Sequence, residues 1–188
     1  GVETQVGDQL AAPTHSGVVE FDNDSYKEAD TVVVTLTDQD LNTNPDLINI
    51  YTVIQTVGDV AYDQVGEKFY GQNSVGDNNG RLLDITFDDE LWLKDTIPNG
   101  DGVYCANSIT ANDGLGDTGF TLVETGKDTD IFTGDFQVPD QYCARSGASA
   151  GENGSISSVM GTDIEVNYVD YRDASGEIIE VGDGAGIR

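Results

Sequence analysis

Oxygen-bearing side chains recur at every second position in one short stretch, at Asp38, Asp40, Asn42, Asn44 and Asp46. Ca²⁺ binds about six to eight oxygen ligands, and a tight loop of alternating Asp and Asn can direct several of them inward. The opening is similar to a helix–loop–helix calcium motif, but the Gly and Glu that this motif needs further on are absent. The stretch therefore predicts a calcium loop, with an ordinary polar turn as the alternative.

A second group of acids, Asp88, Asp89 and Glu90, is consecutive in sequence. Successive residues of a strand point to opposite faces, so three acids in a row cannot converge on one ion from a regular strand. The pattern indicates a β-bulge or a charged guard on a sheet edge.

The two cysteines, Cys105 and Cys143, predict one disulfide in an exported protein, with two buried thiols as the alternative. Two short sequons, at Asn23 and Asn153, are candidate glycosylation sites. We expect the chain to be a mature product or a piece of a longer protein, because it has neither an initiating Met nor a signal-peptide pattern at Gly1.

Catalytic chemistry finds few candidates in this sequence. The only histidine, His15, stands alone, so a histidine-based triad has no partners. No Gly-rich loop leads from a strand into a helix to bind phosphate. Carboxylates are so abundant that their pairing carries no information about glycoside hydrolysis. We expect the chain not to be an enzyme.

Charge limits the partners. The chain has 35 acidic and 8 basic residues among 188, a formal net charge of −27. Such a chain repels nucleic acid and anionic lipid and attracts cations. It also has no apolar run near the roughly 18 residues that a membrane helix needs. We expect cation binding, with adaptation to a salty medium as a compatible alternative.

The apolar residues alternate as in β-strands and show no sustained helical period. Stretches rich in Gly, Asp, Asn and Ser predict long loops at 56–80, 94–118 and 139–162. About seven strands with turn signals between them predict an all-β sandwich at 17–188, after a linker or docking arm at 1–16. The predicted strands lie at 17–21, 31–37, 47–55, 83–93, 120–123, 131–138 and 164–168, with a short one at 178–181.

Three stretches resemble immunoglobulin-like domains of archaeal surface-layer proteins, and are most similar to those of ammonia-oxidising archaea. The first runs from Gly17 through Thr-Asp-Gln-Asp-Leu-Asn, which ends at Asn42. The second contains Glu-Thr-Gly, ending at Gly126, and Phe-Thr-Gly, ending at Gly134. The third covers 163–173. The resemblance spans most of 17–183 and implies an immunoglobulin-like β-sandwich of about seven strands with long loops.

The resemblance also implies where the candidate residues lie. With strands labelled A to G, the B–C, D–E and F–G loops of such a sandwich share one end. The 38–46 stretch, Cys105 and Cys143 would then lie together, and the cysteines could form a bridge. The A–B and E–F turns would bring a second metal-binding group together at the opposite end, with a solvated acidic rim as the alternative. This group comprises Asp22, Asp24, Asp128 and Asp130.

The function implied is that of a structural domain of an extracellular surface layer on the cell surface. Its partners would be neighbouring copies or domains of the same protein and small cations such as ammonium, with Ca²⁺ as the stabilising ion. The alternative is a calcium-dependent adhesin or extracellular filament subunit that binds a protein or a glycan. We expect neither nucleic-acid binding nor direct membrane insertion.

Overall fold

A computed structural model of the chain describes residues 15–52, 83–91, 96–99, 102–105, 115, 118–144, 155–170 and 173–188. These residues form mainly β-strands, with a short 3-10 helix at Gln39–Leu41. Among them no helix is long and apolar enough to cross a membrane. The predicted all-β class is confirmed.

Two five-stranded sheets account for most of the described strands. Strands are numbered β1 to β14 in chain order. Sheet 1 is antiparallel throughout, in the order β1 (Val18–Phe21), β3 (Thr31–Thr37), β10 (Ile131–Gln137), β9 (Thr121–Glu124) and β4 (Ile50–Thr52). Sheet 2 has the order β2 (Ser25–Tyr26), β14 (Ile179–Ile187), β13 (Asp163–Asp170), β5 (Leu83–Phe87) and β6 (Glu90–Leu91).

Two further antiparallel pairs form two-stranded ribbons beside these sheets. One joins β7 (Thr96–Asn99) to β8 (Gly102–Cys105), and the other joins β11 (Gln141–Ala144) to β12 (Ser155–Ser158). Both ribbons lie in stretches predicted as loops, so that prediction is wrong there.

The core lies between the two five-stranded sheets. Along β3 the side chains of Val32, Val34 and Leu36 are fully buried, while the residues between them are exposed or half-buried. This alternation follows from the pleat, which sends successive side chains to opposite faces. The same period governs β10 and β13, and the buried set includes Phe132, Phe136, Ile164, Val166, Tyr168, Leu83, Ile85 and Phe87.

The strand registers define two ends of the sandwich. At one end, Val18 and Ile131 both pair with Thr37. We call this the Asp38 end, and it carries the 38–49 loop and the 125–130 turn. The other end carries the 22–30 turn and β11, where the Tyr142 ring packs on Phe87 with centroids 5.0 Å apart. We call this the Asp22 end.

The strand order does not confirm the immunoglobulin-like detail. In an immunoglobulin sandwich, strands B and F lie in different sheets. Here the strands predicted as B and F are β3 and β10, which pair from Ile131↔Thr37 to Gln137↔Thr31 within sheet 1. The 125–130 turn therefore lies at the same end as the 38–49 loop.

The stretch predicted as the longest strand, 83–93, is interrupted by a turn. Strand β5 ends at Phe87, Asp88 and Asp89 turn the chain, and β6 returns beside β5 as the edge of sheet 2. Both Asp residues have positive φ, 48° and 62°, the conformation that a two-residue type I′ hairpin requires. The acids are thus a hairpin turn next to an edge strand, where a bulge or an edge guard was predicted.

Strand β14 is longer than the predicted 178–181 segment. It extends to Ile187 and pairs with β13 from Ile179↔Asp170 to Gly186↔Asp163. Its second half contains Gly182, Gly184 and Gly186, which weaken a strand signal in the sequence because glycine contributes no side chain. Of the 47–55 stretch, only Ile50–Thr52 is a described strand, and the 56–80 stretch lies outside the described residues.

Candidate functional site

The Asp38 end brings together two groups of acids that were predicted to lie apart. The Asn42 amide Nδ2 donates hydrogen bonds to Asp128 Oδ1 at 3.0 Å and to Asp130 Oδ1 at 2.9 Å. The Asp38 backbone N–H donates to the Asp130 carbonyl at 3.0 Å. The 125–130 turn is therefore held to the predicted calcium stretch, and the prediction that Asp128 and Asp130 lie beside Asp22 and Asp24 is wrong.

Glu124 joins the 38–49 loop to the 125–130 turn through hydrogen bonds. It is buried, and its Oε2 accepts hydrogen bonds from both the backbone and the side-chain nitrogen of Asn49, each at 3.0 Å. Its Oε1 accepts from the backbone N–H groups of Thr129 and Asp130. These donors, Asn49 first, lower the pKa of Glu124 to about 2. Glu124 is thus a structural anion that joins the two loops.

Asp38 is the second buried acid at this end, 2 % exposed. Its Oδ1 accepts from the Asp40 backbone N–H at 2.8 Å and caps the 3-10 helix, and its Oδ2 accepts from the Tyr168 hydroxyl. Burial raises the pKa of Asp38, although the Tyr168 bond opposes that shift. Nearby, Asp170 Oδ2 accepts from the Gly17 backbone N–H at 2.8 Å.

Gly17 is required at this position by close packing. A Cβ on Gly17 would overlap the Tyr168 ring. The glycine lets the chain that leads into β1 pass against the ring and reach Asp170. Just before it, Ser16 Oγ accepts from the Ala174 N–H at 3.3 Å, and His15 Nδ1 lies 3.7 Å from Asp40 Oδ1. These contacts hold residues 15 and 16 of the predicted arm at the Asp38 end, while 1–14 lie outside the described residues.

Three of the five candidate ligands in the 38–46 stretch, Asp38, Asn42 and Asn44, accept hydrogen bonds within the protein. Both carboxylate oxygens of Asp38 accept hydrogen bonds from the protein, and Asn42 Oδ1 accepts from Asn49 at 3.1 Å. Asn44 Oδ1 accepts from the Asp46 N–H at 3.1 Å. A Ca²⁺ ion needs about six to eight oxygens converging on one point. Among the described residues, no three or more Asp, Glu, His or Cys side chains are grouped to hold a metal ion.

At the Asp22 end, Asp22 and Asp24 also accept hydrogen bonds within the protein. Asp22 Oδ1 accepts from the Tyr26 hydroxyl at 2.6 Å and from the Val33 N–H at 2.9 Å, and its Oδ2 accepts from Asn23 Nδ2. The Asp24 carbonyl accepts from the Gly186 N–H at 3.1 Å. Asp22 therefore organises the turn between β1 and β3. Of the two sequons, Asn23 is exposed on this turn and Asn153 lies outside the described residues.

Cys143 also lies at the Asp22 end, on β11. It is buried and disulfide-bonded, and Cys105 is the other cysteine of the chain. The expectation that Cys143 shares an end with the 38–46 stretch is wrong. The reason is again the direction of β10, which starts at the Asp38 end and delivers the chain that follows it to the opposite end.

The outer face of sheet 2 carries a group that sequence reasoning missed. Glu165 on β13 pairs with Thr86 on β5, so both side chains project from the same outer face. Burial first, and then the nearby carboxylate of Asp89 in the β5–β6 turn, raise the pKa of Glu165. No motif marks these residues in the sequence, because only strand pairing brings them together.

The outer face of sheet 1 has a different composition. Its central row is Thr35, Thr133, Val123 and Ile50, aligned across four strands by register. Ile50 is 55 % exposed and Val123 is 38 % exposed. Further large apolar side chains are exposed on this face or just before β4, namely Val18, Ile131, Leu47 and Ile48. The acids on the described outer positions of this sheet are Glu20 and Asp135.

The two ends of the sandwich carry oxygen-bearing side chains that accept hydrogen bonds within the protein. No protein-family model matches this chain, and no curated protein matches it.

Proposed function

We propose that the chain is a structural domain of an extracellular surface layer, which packs against neighbouring copies and binds cations. The observation that carries the proposal is the outer face of sheet 1. It exposes Val18, Ile50, Val123 and Ile131 among threonines, in a chain of net charge −27. Exposed apolar patches rimmed by polar residues mark protein contacts.

Electrostatics favours this face for contact between copies. Two chains of charge −27 repel each other, and the repulsion is weakest where fewest acids meet. The outer face of sheet 2 is much more acidic, with Asp84, Asp163, Glu165 and Glu180. Sheet 1 is therefore the side on which a second copy is expected.

The size of the face sets the strength of the contact. Five strands spaced about 4.8 Å apart and about 20 Å long present roughly 500 Å². A stable pairwise interface buries about 800 Å² on each partner. A single contact of this size is weak, which suits a layer in which many equal contacts act together.

Cation binding is the second part of the proposed function. Ca²⁺ would lower the repulsion between copies, and the acidic outer surfaces would concentrate small cations such as ammonium near the cell. Screening limits this attraction to about 8 Å at physiological ionic strength, so it acts in narrow gaps between subunits. The proposed role needs no catalysis, no nucleic acid and no membrane insertion.

Assembly is the test. Wild type is expected to form large particles on addition of CaCl₂ and to dissociate in EGTA, measured by sedimentation velocity and electron microscopy. Ile50→Glu with Val123→Glu places two charges on the face and is expected to abolish the particles. Ile178→Glu is the matched control, since Ile178 is 64 % exposed but lies next to β14 in sheet 2.

Three results separate the alternatives. Equal assembly by the double variant and the control would contradict the role of sheet 1. Thermal unfolding that is indifferent to chelator at low ionic strength would contradict the calcium part. A chain that stays monomeric in Ca²⁺ and instead gains affinity for a protein or a glycan would favour the adhesin function.

A further inference from the structure

Thr86 has a buried hydroxyl without a partner. It lies on β5, is 6 % exposed, and its Oγ1 makes no hydrogen bond. Buried hydroxyls are nearly always hydrogen-bonded, so an exception calls for an explanation. A threonine here is also unexpected on packing grounds, because valine has almost the same shape and would leave no polar atom unsatisfied.

The surroundings of this hydroxyl are acidic. Its register neighbour is Glu165, and the carboxyl of Asp89 lies close to that of Glu165. Asp84 and Asp163 add negative charge close to Glu165. Carboxylates held close together repel each other, and a cation bound between them would relieve that repulsion.

The backbone leaves space on the other side of Glu165. Its register partner on β14 is Gly184, and a Cβ built there would still lie 3.8 Å from Glu165 Cγ. Neighbouring Gly182 and Gly186 also lack side chains on this outer face. No side chain of Gly184 therefore competes with an ion for the Glu165 carboxylate.

We propose that Thr86 Oγ1, Glu165 and Asp89 form a binding site for a hard divalent cation, Ca²⁺ or Mg²⁺. The hydroxyl offers an oxygen that no protein group uses, and the two carboxylates supply the neutralising charge. Water would complete the coordination, as is usual for Mg²⁺ and common for Ca²⁺. The site has two acids, in agreement with the lack of any three-acid group among the described residues.

This site differs from the two acid groups at the ends of the sandwich. There, Asp38 and Asp22 accept hydrogen bonds on both carboxylate oxygens. At Thr86, by contrast, the protein leaves an oxygen unsatisfied beside two like charges. The inference rests on the proposed function only in that it assigns a location to cation binding.

Binding of CaCl₂ and of MgCl₂ to the full chain by isothermal titration calorimetry is the experiment. About 0.5 M NaCl shortens the screening length to about 4 Å and suppresses diffuse binding. Thr86→Val, Glu165→Gln and Asp89→Asn are each expected to weaken binding by about 10–100-fold. Asn favours positive φ, so Asp89→Asn is expected to fold. The ion that binds more tightly to wild type identifies the cation.

Thr86→Val is the decisive variant because it changes no charge. In EGTA its melting temperature is expected to equal or exceed that of wild type, which separates lost binding from lost folding. Glu20→Gln, on the outer face of sheet 1, is the charge-matched control for Glu165→Gln and is expected to leave the affinity for the cation unchanged.

The outcomes separate this site from the proposed function. Thr86→Val and Glu165→Gln binding as tightly as wild type would overturn the site, even if Ca²⁺ still drives assembly. Binding that these variants abolish, in a chain that never assembles, would support the site and contradict the surface-layer function. A wild type that binds neither ion would contradict both the site and the cation part of the function.

Discussion

At the residue scale, the surroundings of a carboxylate decide what it does. Asp38 and Asp22 each accept a hydrogen bond from a tyrosine hydroxyl, Tyr168 and Tyr26 respectively. Asp38 is buried, so solvent cannot readily replace a lost donor, whereas Asp22 is exposed. The same tyrosine–aspartate pair is therefore expected to contribute differently to stability at the two ends.

Tyr168→Phe is expected to destabilise the fold by about 1–3 kcal/mol, because it leaves a buried carboxylate oxygen without its donor. In a chain of this size, this corresponds to a fall in melting temperature of roughly 2–10 °C. Tyr26→Phe is the matched control and is expected to have a smaller effect, since water can reach Asp22. Equal losses in thermal unfolding would contradict the distinction.

Glu124 predicts a specific dependence on pH. Its folded pKa of about 2 lies below the ordinary value of 4.5, so its hydrogen bonds stabilise the fold fully above pH 4.5. That contribution is lost as the pH falls from 4.5 toward 2. Glu124→Gln is expected to be less stable than wild type at neutral pH. Its stability is also expected to fall less than that of wild type between pH 4.5 and pH 2.

The measurement is the melting temperature between pH 7 and pH 2, with Glu28→Gln, an exposed glutamate, as the charge-matched control. Asp38 has the opposite dependence on pH. Burial raises its pKa, so its contribution to the stability of the fold is lost as the pH rises. Identical pH profiles for Glu124→Gln and the control would contradict the assigned role of Glu124.

At the element scale, alternating segments were predictable and their pairing was not. The period of 2 located β3, β10 and β13 nearly to the residue, because each buries one face against the core. Strand pairing depends on contacts far apart in sequence. The pairing of β3 with β10 thus escaped prediction, and with it the ends at which Asp128, Asp130 and Cys143 lie.

The candidate sites were predictable to the same limited extent. The alternating oxygens of 38–46 identified a real polar loop, but the sequence could not show that Tyr168 and Asn49 already occupy its acceptors. Thr86 and Glu165 lie far apart in the sequence and meet only because β5 pairs with β13. The residue types indicated oxygen chemistry, and tertiary pairing decided where it is available.

Two glycines in strands, Gly134 and Gly184, provide a test of side-chain packing. Gly134 faces the core on β10, where a Cβ would lie 2.7 Å from the Phe120 ring and 2.8 Å from the Thr121 carbonyl. Gly134→Ala is expected to destabilise the fold by about 1–3 kcal/mol through overpacking. Gly184→Ala, with its nearest contact at 3.8 Å, is expected to be tolerated. Urea unfolding compares the two, and equal stability would contradict the packing described for Phe120.

At the scale of the whole molecule, charge opposes the compact state. A net charge of −27 on one domain repels itself over about 30 Å at 0.01 M salt and over about 4 Å at 0.5 M. The fold is therefore expected to be strongly sensitive to ionic strength, independently of any specific ion site.

The melting temperature is expected to rise by roughly 5–10 °C between about 0.01 M and about 0.5 M NaCl in the presence of EGTA. Glu20→Gln with Glu28→Gln removes two exposed charges and is expected to reduce this gain. A melting temperature that does not change with NaCl would show that self-repulsion is already compensated within the fold.

The direction of the first and last strands, β1 and β14, has a mechanical consequence. Strand β1 begins at the Asp38 end, and β14 ends at the Asp22 end after pairing with β13 from Ile179 to Gly186. Tension that enters at β1 and leaves at β14 pulls along the strands, so the hydrogen bonds of the β13–β14 pair are loaded in shear and must break together. Unfolding under force is controlled by its rate, and shear loading makes that rate low.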